Sequence, residues 1–148
     1  MEKVLFINLN SQQKELILKA KKTAESSYSP YSNFKVGSAV LTCDNEIITG
    51  TNFENASYGG TICAERSAIV SANSQNKRHL KSIAVIAGNS NKNALIISPC
   101  GICRQLIFES SQISEIDIEI LMSSSDCSEV IISKISELLP LAFGPKNL

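Results

Sequence analysis

Three cysteines constrain the fold of this chain more than any other feature. Cys63 opens the tripeptide Cys63-Ala64-Glu65, and two more thiols bracket the turn Pro99-Cys100-Gly101-Ile102-Cys103. The 36 residues between Cys63 and Cys100 accommodate a helix, a strand and a turn, enough to return the chain to the same end of a sheet. A C-x-x-C element by itself is ambiguous between zinc, thiol redox chemistry and accident. Three thiolates with one open position match a catalytic zinc site rather than a closed four-ligand structural one. Each motif stands where a strand or loop gives way to a predicted helix, and backbone N–H groups and the helix dipole stabilise thiolates there. Glu65 lies too close to Cys63 to chelate comfortably beside it, yet within reach of a metal-activated water. Alone, Glu65 reads as a cap-adjacent surface charge; both cysteine elements together reverse that reading.

Charge arithmetic extends the pattern. Zinc with three thiolates carries a formal charge of about −1, which opposes ionisation of a bound water. Arg66 and Arg104 each follow a motif residue directly, so both are candidates to hydrogen-bond sulfur and offset the excess. Two rival readings of the thiols remain at this point. A redox pair Cys100/Cys103 predicts a disulfide and leaves Cys63-Ala64-Glu65 unexplained. A zinc-stabilised binding module predicts a fourth protein ligand.

The rest of the composition narrows the setting. With 148 residues and no repeat or linker, residues 1–148 read as one domain. The 14 basic and 14 acidic side chains balance, which argues against a nucleic-acid partner. No apolar run approaches the roughly 18 residues of a membrane span, and Val4–Ile7 is too short for a signal segment. A cytoplasmic location with reduced thiols follows as an expectation. Cys43 and Cys127 match no ligand position and read as buried or incidental. His79, the single histidine, reads as a surface residue, so no His-based zinc triad can form.

Periodicity places the motifs. Residues 11–25 predict a helix capped by Ser11, with Leu16, Ala20 and Thr23/Ala24 on one face. The run Tyr28-Ser29-Pro30-Tyr31-Ser32-Asn33 breaks it. Phe34–Leu41 and Ile47–Asn52 predict a hairpin, and Cys63–Ala72 a helix. Ser82–Ala87 reads as a buried strand, Asn89–Asn93 as a turn, and Ala94–Ile97 as a further strand. Gly101–Glu109 predicts a helix and Ile116–Met122 a strand; Val130–Ile132 is strand or helix, and Ser133–Leu138 is helix-like. Strands alternating with helices imply an α/β sandwich with helical crossovers between parallel strands.

A [His or Cys]-x-Glu element followed by Pro-Cys-x-x-Cys is the signature of zinc nucleobase deaminases. The likeness goes further. The segments 28–37 (YSPYSNFKVG), 52–59 (NFENASYG), 61–66 (TICAER), 98–105 (SPCGICRQ) and 138–145 (LLPLAFGP) resemble the cytidine deaminases, in their small homotetrameric form with three cysteine ligands. Gly60 departs from the pattern, since the family often carries a larger residue there. The resemblance implies a three-layer α/β/α sandwich with a mixed five-stranded sheet. It also implies one zinc per chain on Cys63, Cys100 and Cys103, with Glu65 as proton carrier. The implied reaction is hydrolytic deamination of free cytidine and deoxycytidine. Further implied roles are ribose contacts for Asn52 and Glu54, packing of Phe34 on the nucleoside, and base reading by backbone near Ala64 and Ser98. Phe143 would reach a neighbouring subunit's base, with active sites near the interfaces of a homotetramer. Without the resemblance, Phe34 reads as core and Asn52/Glu54 as a polar strand end. Another aminopyrimidine nucleoside such as blasticidin S is the alternative substrate; a polynucleotide substrate is disfavoured, because a neutral, compact chain provides no strand-tracking groove.

Overall fold

The computed structural model describes residues 1–88 and 95–148, so the predicted turn Asn89–Asn93 and Ala94 lie outside the described residues. Six strands form one mixed sheet: β1 (Glu2–Leu5), β2 (Val36–Thr42), β3 (Ile47–Thr51), β4 (Leu80–Ala87), β5 (Glu119–Ser123) and β6 (Glu129–Lys134), in the spatial order β1-β6-β5-β4-β2-β3. Among the described strands only β4 and β5 run parallel; every other strand pairing is antiparallel. The expected five strands become six because β1 pairs with β6 at the sheet edge, with Val4 opposite Val130. Of the predicted strand Ala94–Ile97, the described residues 95–97 add no strand: Ile96 makes a single bridge to Ser124.

Alternation along the strands builds two cores. Val36, Val40, Ile48, Ile83, Val85, Ile120 and Met122 face one side, against α2 (Ala64–Ser74), α3 (Gly101–Ser114) and Ile135 of the short α4 (Ile135–Leu138). Ala39, Leu41, Ala84, Ile86, Leu121 and Val130 face the other side, against Leu16, Ile17 and Ala20 of α1 (Ser11–Ala24). The period of two in the strands therefore specifies a sandwich with one helix on one face and three on the other. The N-cap of α1 is Asn10 rather than Ser11. Its side chain accepts from the Gln13 amide at 2.8 Å, and Gln13 returns the bond to the Asn10 amide.

Close approach of α2 to the sheet depends on small residues. A Cβ at Gly50 of β3 would stand 2.2 Å from the backbone nitrogen of Ala68, so only glycine fits under this helix. Ala64, Ala68 and Ala72 complete the flat contact, all fully buried. No helix among the described residues is long and apolar enough to cross a membrane.

Candidate active site

Two helix starts converge on the metal motif. Cys63 is the N-cap of α2, and Cys100 is the N-cap of α3; neither uses its thiol as a side-chain cap. Cys103 follows in the first turn of α3 and is buried, while Cys63 is half-buried and Cys100 exposed. The three sulfurs lie within 4.8 Å of one another, with Cys63 and Cys100 3.9 Å apart. Tetrahedral zinc with Zn–S bonds of about 2.3 Å needs S···S separations of about 3.8 Å, so this soft donor set fits zinc. None of the five thiols is in a disulfide. The cluster holds three protein ligands and no fourth among the described residues, against the closed structural reading.

The local field favours the anion at Cys63 and opposes it at Cys103. Cys63 is drawn down to about 6, chiefly by its hydrogen bond with Cys103, with help from Cys100 and the Arg66 charge. Cys103 is pushed up for the converse reason, its hydrogen bond with Cys63, and by burial. Glu65, in the first turn of α2, is 4% exposed. Burial pushes its carboxyl up to about 7, and the nearby Cys63 adds to the rise.

The arginines divide. Arg66 acts on Cys63 through its charge. Arg104, read from sequence as a sulfur partner, is committed elsewhere. Its Nε donates to the Pro99 carbonyl at 2.8 Å, Nη1 to the Leu138 carbonyl at 3.1 Å, and Nη2 to the Ser98 hydroxyl at 3.2 Å. The guanidinium fork spans two segments of chain, and none of its hydrogen bonds to described residues runs to a sulfur.

Asn52 and Glu54 both tie down the loop at 27–36, a role their alternation on a strand end did not reveal. Asn52 is nearly buried; its Oδ1 accepts from the Ser27 hydroxyl at 2.6 Å and the Val36 amide at 2.8 Å, and its Nδ2 donates to the Phe34 carbonyl at 2.9 Å. Glu54 is half-buried and accepts from the Ser32 hydroxyl and from the amides of Tyr31 and Ser32. Those bonds, led by Ser32, hold its carboxyl below the usual range. Tyr28, Phe53 and Ile62 bridge as a miniature sheet that joins this loop to the approach of Cys63. The Ser32 contribution was missed in sequence; a serine two residues before Phe34 carries no periodic signal.

The remaining expected residues lie as follows. Ala64 is fully buried at the start of α2, and Ser98 is exposed. Phe34 is 37% exposed rather than core, and Phe143 is exposed near the C-terminus. Gly59 and Gly60 form a short 3-10 turn in which added side chains would meet little beyond Asn55. Cys43 and Cys127 are half-buried, and Cys127 packs against the α1-side core. His79 is exposed.

A three-thiol centre at two helix N-termini, beside a buried carboxylate on a mixed α/β/α sandwich, defines the zinc-dependent hydrolytic deaminase class. The family model for the cytidine and deoxycytidylate deaminase zinc-binding region matches residues 10–119. A cytidine deaminase of Halalkalibacterium halodurans is 39% identical over 135 residues, covering 90% of this chain and 95% of that protein. The crystal structure of cytidine deaminase from Burkholderia pseudomallei superposes with a TM-score of 0.77 at 37% identity, covering 91% of this chain and 100% of its own. That from Mycobacterium tuberculosis gives 0.75 at 32% identity, covering 91% and 99%. The chain belongs to the cytidine deaminase family.

Proposed function

We propose that this protein deaminates free cytidine and deoxycytidine to uridine and deoxyuridine, releasing ammonia. The observation that carries the reading is the buried Glu65 two residues beyond Cys63 and beside a clustered three-thiol donor set. Cys63, Cys100 and Cys103 would hold zinc, which supplies the Lewis acidity that makes water nucleophilic near neutral pH. Glu65 takes the proton released as water adds at C4 and delivers it to N3 of the base. It then carries a second proton to the departing amino group, so water and the nucleoside become uridine and ammonia. Phe34 packs on the nucleoside, Glu54 accepts from a sugar hydroxyl, and Asn52 offers its remaining Nδ2 hydrogen. Backbone groups near Ala64 and Ser98 read the base edge.

The protein acts in the cytoplasm as a homotetramer in which Phe143 meets the base held by another copy. Exposed Ile62, Val70 and Ile102 gather around Arg66, an apolar surface suited to burial against a second copy. No nucleic acid is a partner, in keeping with the balanced charge.

An ultraviolet assay with cytidine, deoxycytidine and blasticidin S, with and without a zinc chelator, tests the reading. Loss of absorbance on the two ordinary nucleosides, abolished by the chelator, is the expected result. Glu65→Ala should abolish turnover while each chain keeps one zinc. An active Glu65→Ala enzyme, or no turnover of any of the three by the parent, would refute the assignment.

A further inference from the structure

Residues 138–147 are fastened to the metal-bearing helix in a way that sequence patterning does not disclose. Directly after the ligand Cys103, Arg104 donates to the carbonyl of Leu138, the final residue of α4. Its neighbour Gln105 donates from Nε2 to the carbonyl of Phe143 at 2.9 Å. One turn further along α3, the ring of Phe108 lies so close to Gly144 that an added Cβ would stand 2.5 Å from its Cε1. Beyond that contact, Gly144 and Asn147 close a turn on each other: the Gly144 amide donates to Asn147 Oδ1 and the Asn147 amide to the Gly144 carbonyl, both at 2.8 Å. The tail thus runs along the first two turns of α3, anchored at 104, 105 and 108.

Between the anchors the chain bulges outward. Leu141 adopts a left-handed backbone (φ 54) and is fully exposed, and Phe143 is exposed as well. Leu138 and Leu139 pack against the α2–α3 core, whereas Leu141 and Phe143 add almost no apolar burial to it. Polar anchors at both ends of an exposed apolar bulge instead fix where its side chains are presented, removing the ordering cost before any contact is made. Arg104 adds a second restraint: the same guanidinium that grips Leu138 also grips Ser98 and Pro99, the residues leading into Cys100. One side chain therefore registers the tail against the turn that carries a metal ligand.

We propose that Arg104 and Gln105 are positioning residues that dock the C-terminal segment 138–147 on α3, so that substrate affinity depends on the docked tail. The kinetic part rests on the deaminase reading above; the docking itself does not. Arg104→Lys keeps the charge but loses the planar fork, and Gln105→Leu removes one tail anchor at an exposed position where folding is not at stake. For each variant, the measurements are KM and kcat for cytidine, zinc per chain, and hydrogen exchange of the backbone amides at 138–144. Faster exchange at 138–144, one zinc per chain and a KM about tenfold higher, with a smaller fall in kcat, are expected from loss of a charge-assisted or neutral anchor. Unchanged exchange in both variants would overturn the docking. Faster exchange with unchanged KM would overturn its link to affinity. Loss of zinc with a fall in kcat would overturn it in favour of a sulfur-stabilising role for Arg104. If the parent protein fails to turn over cytidine, the functional reading falls, while the exchange measurement still decides the docking.

Discussion

Replacing Gly50 by alanine tests how the sheet positions the metal site. The new Cβ would stand 2.2 Å from the Ala68 nitrogen, 2.7 Å from the Ala64 carbonyl oxygen and 2.8 Å from the Ala68 Cα. All three are backbone atoms of α2, so no side chain can swing aside. Relief to an ordinary contact of about 3.4 Å requires α2 to move away from β3 by about 1 Å. Overpacking of this kind costs about 1–3 kcal/mol, which for a chain of this length lowers Tm by roughly 2–12 °C. The displaced first turn carries Cys63 and Glu65, while Cys100 and Cys103 sit on α3 and stay behind. A misplacement of about 1 Å can cost about a hundredfold in rate. Thermal unfolding of the zinc-loaded protein and kcat/KM for cytidine are the measurements. A Gly50→Ala protein with parental Tm and parental kcat/KM would refute the claim that this contact sets the height of α2.

Three further expectations concern the surrounding scaffold. Asn10→Ala removes the side-chain half of the α1 capping box, leaving only the bond from the residue-10 backbone amide to Gln13 Oε1, and should cost about 1 kcal/mol in a denaturant titration, whereas Ser11→Ala should be close to neutral. Asp126 accepts from the hydroxyls of Ser124 and Ser128 and from the Ser128 amide, which lowers its carboxyl to about 2. Because the folded value is depressed, the turn gains stability above the ordinary aspartate range and loses it as pH falls toward 2; faster exchange of the Ser128 amide across that window is the readout. Cys43→Ser with Cys127→Ser should leave one zinc per chain by metal analysis, since neither thiol belongs to the cluster.

Much of the sandwich was legible because strand alternation and helix spacing act over neighbouring residues. The hairpin β2–β3, the buried strand β4 and the helix starts at Cys63 and Cys100 all emerged within a residue or two of their observed places. What escaped depends on distant partners. Strand β1 is a short, mostly exposed edge whose only reason to be extended is β6, more than a hundred residues away. Helix α3 runs to Ser114, past the predicted end at Glu109, because buried serines break the apolar pattern. Ser110 satisfies its hydroxyl on the Leu106 carbonyl at 3.1 Å and Ser111 on the Ile116 carbonyl at 2.6 Å. At the site, ligand spacing made the metal cluster readable, and the fold supplied the third sulfur at bonding range. The reach of Arg104 to Leu138 could not be read, since nothing in a local pattern names a carbonyl on another element.

The division of the interior by the sheet has a practical meaning for altering this protein. The core beneath α1, built from Leu16, Ile17, Ala20, Ala39, Leu41, Ala84, Ile86, Leu121 and Val130, contains no residue of the helices that carry the thiols or Glu65. Substitutions there lie across the sheet from α2 and α3, so their free energies should add to those of site variants rather than couple with them. The α1 face is therefore where stabilising repacking can accumulate while the chemistry is left intact, and the α2–α3 face is where each change in volume is felt by the reaction.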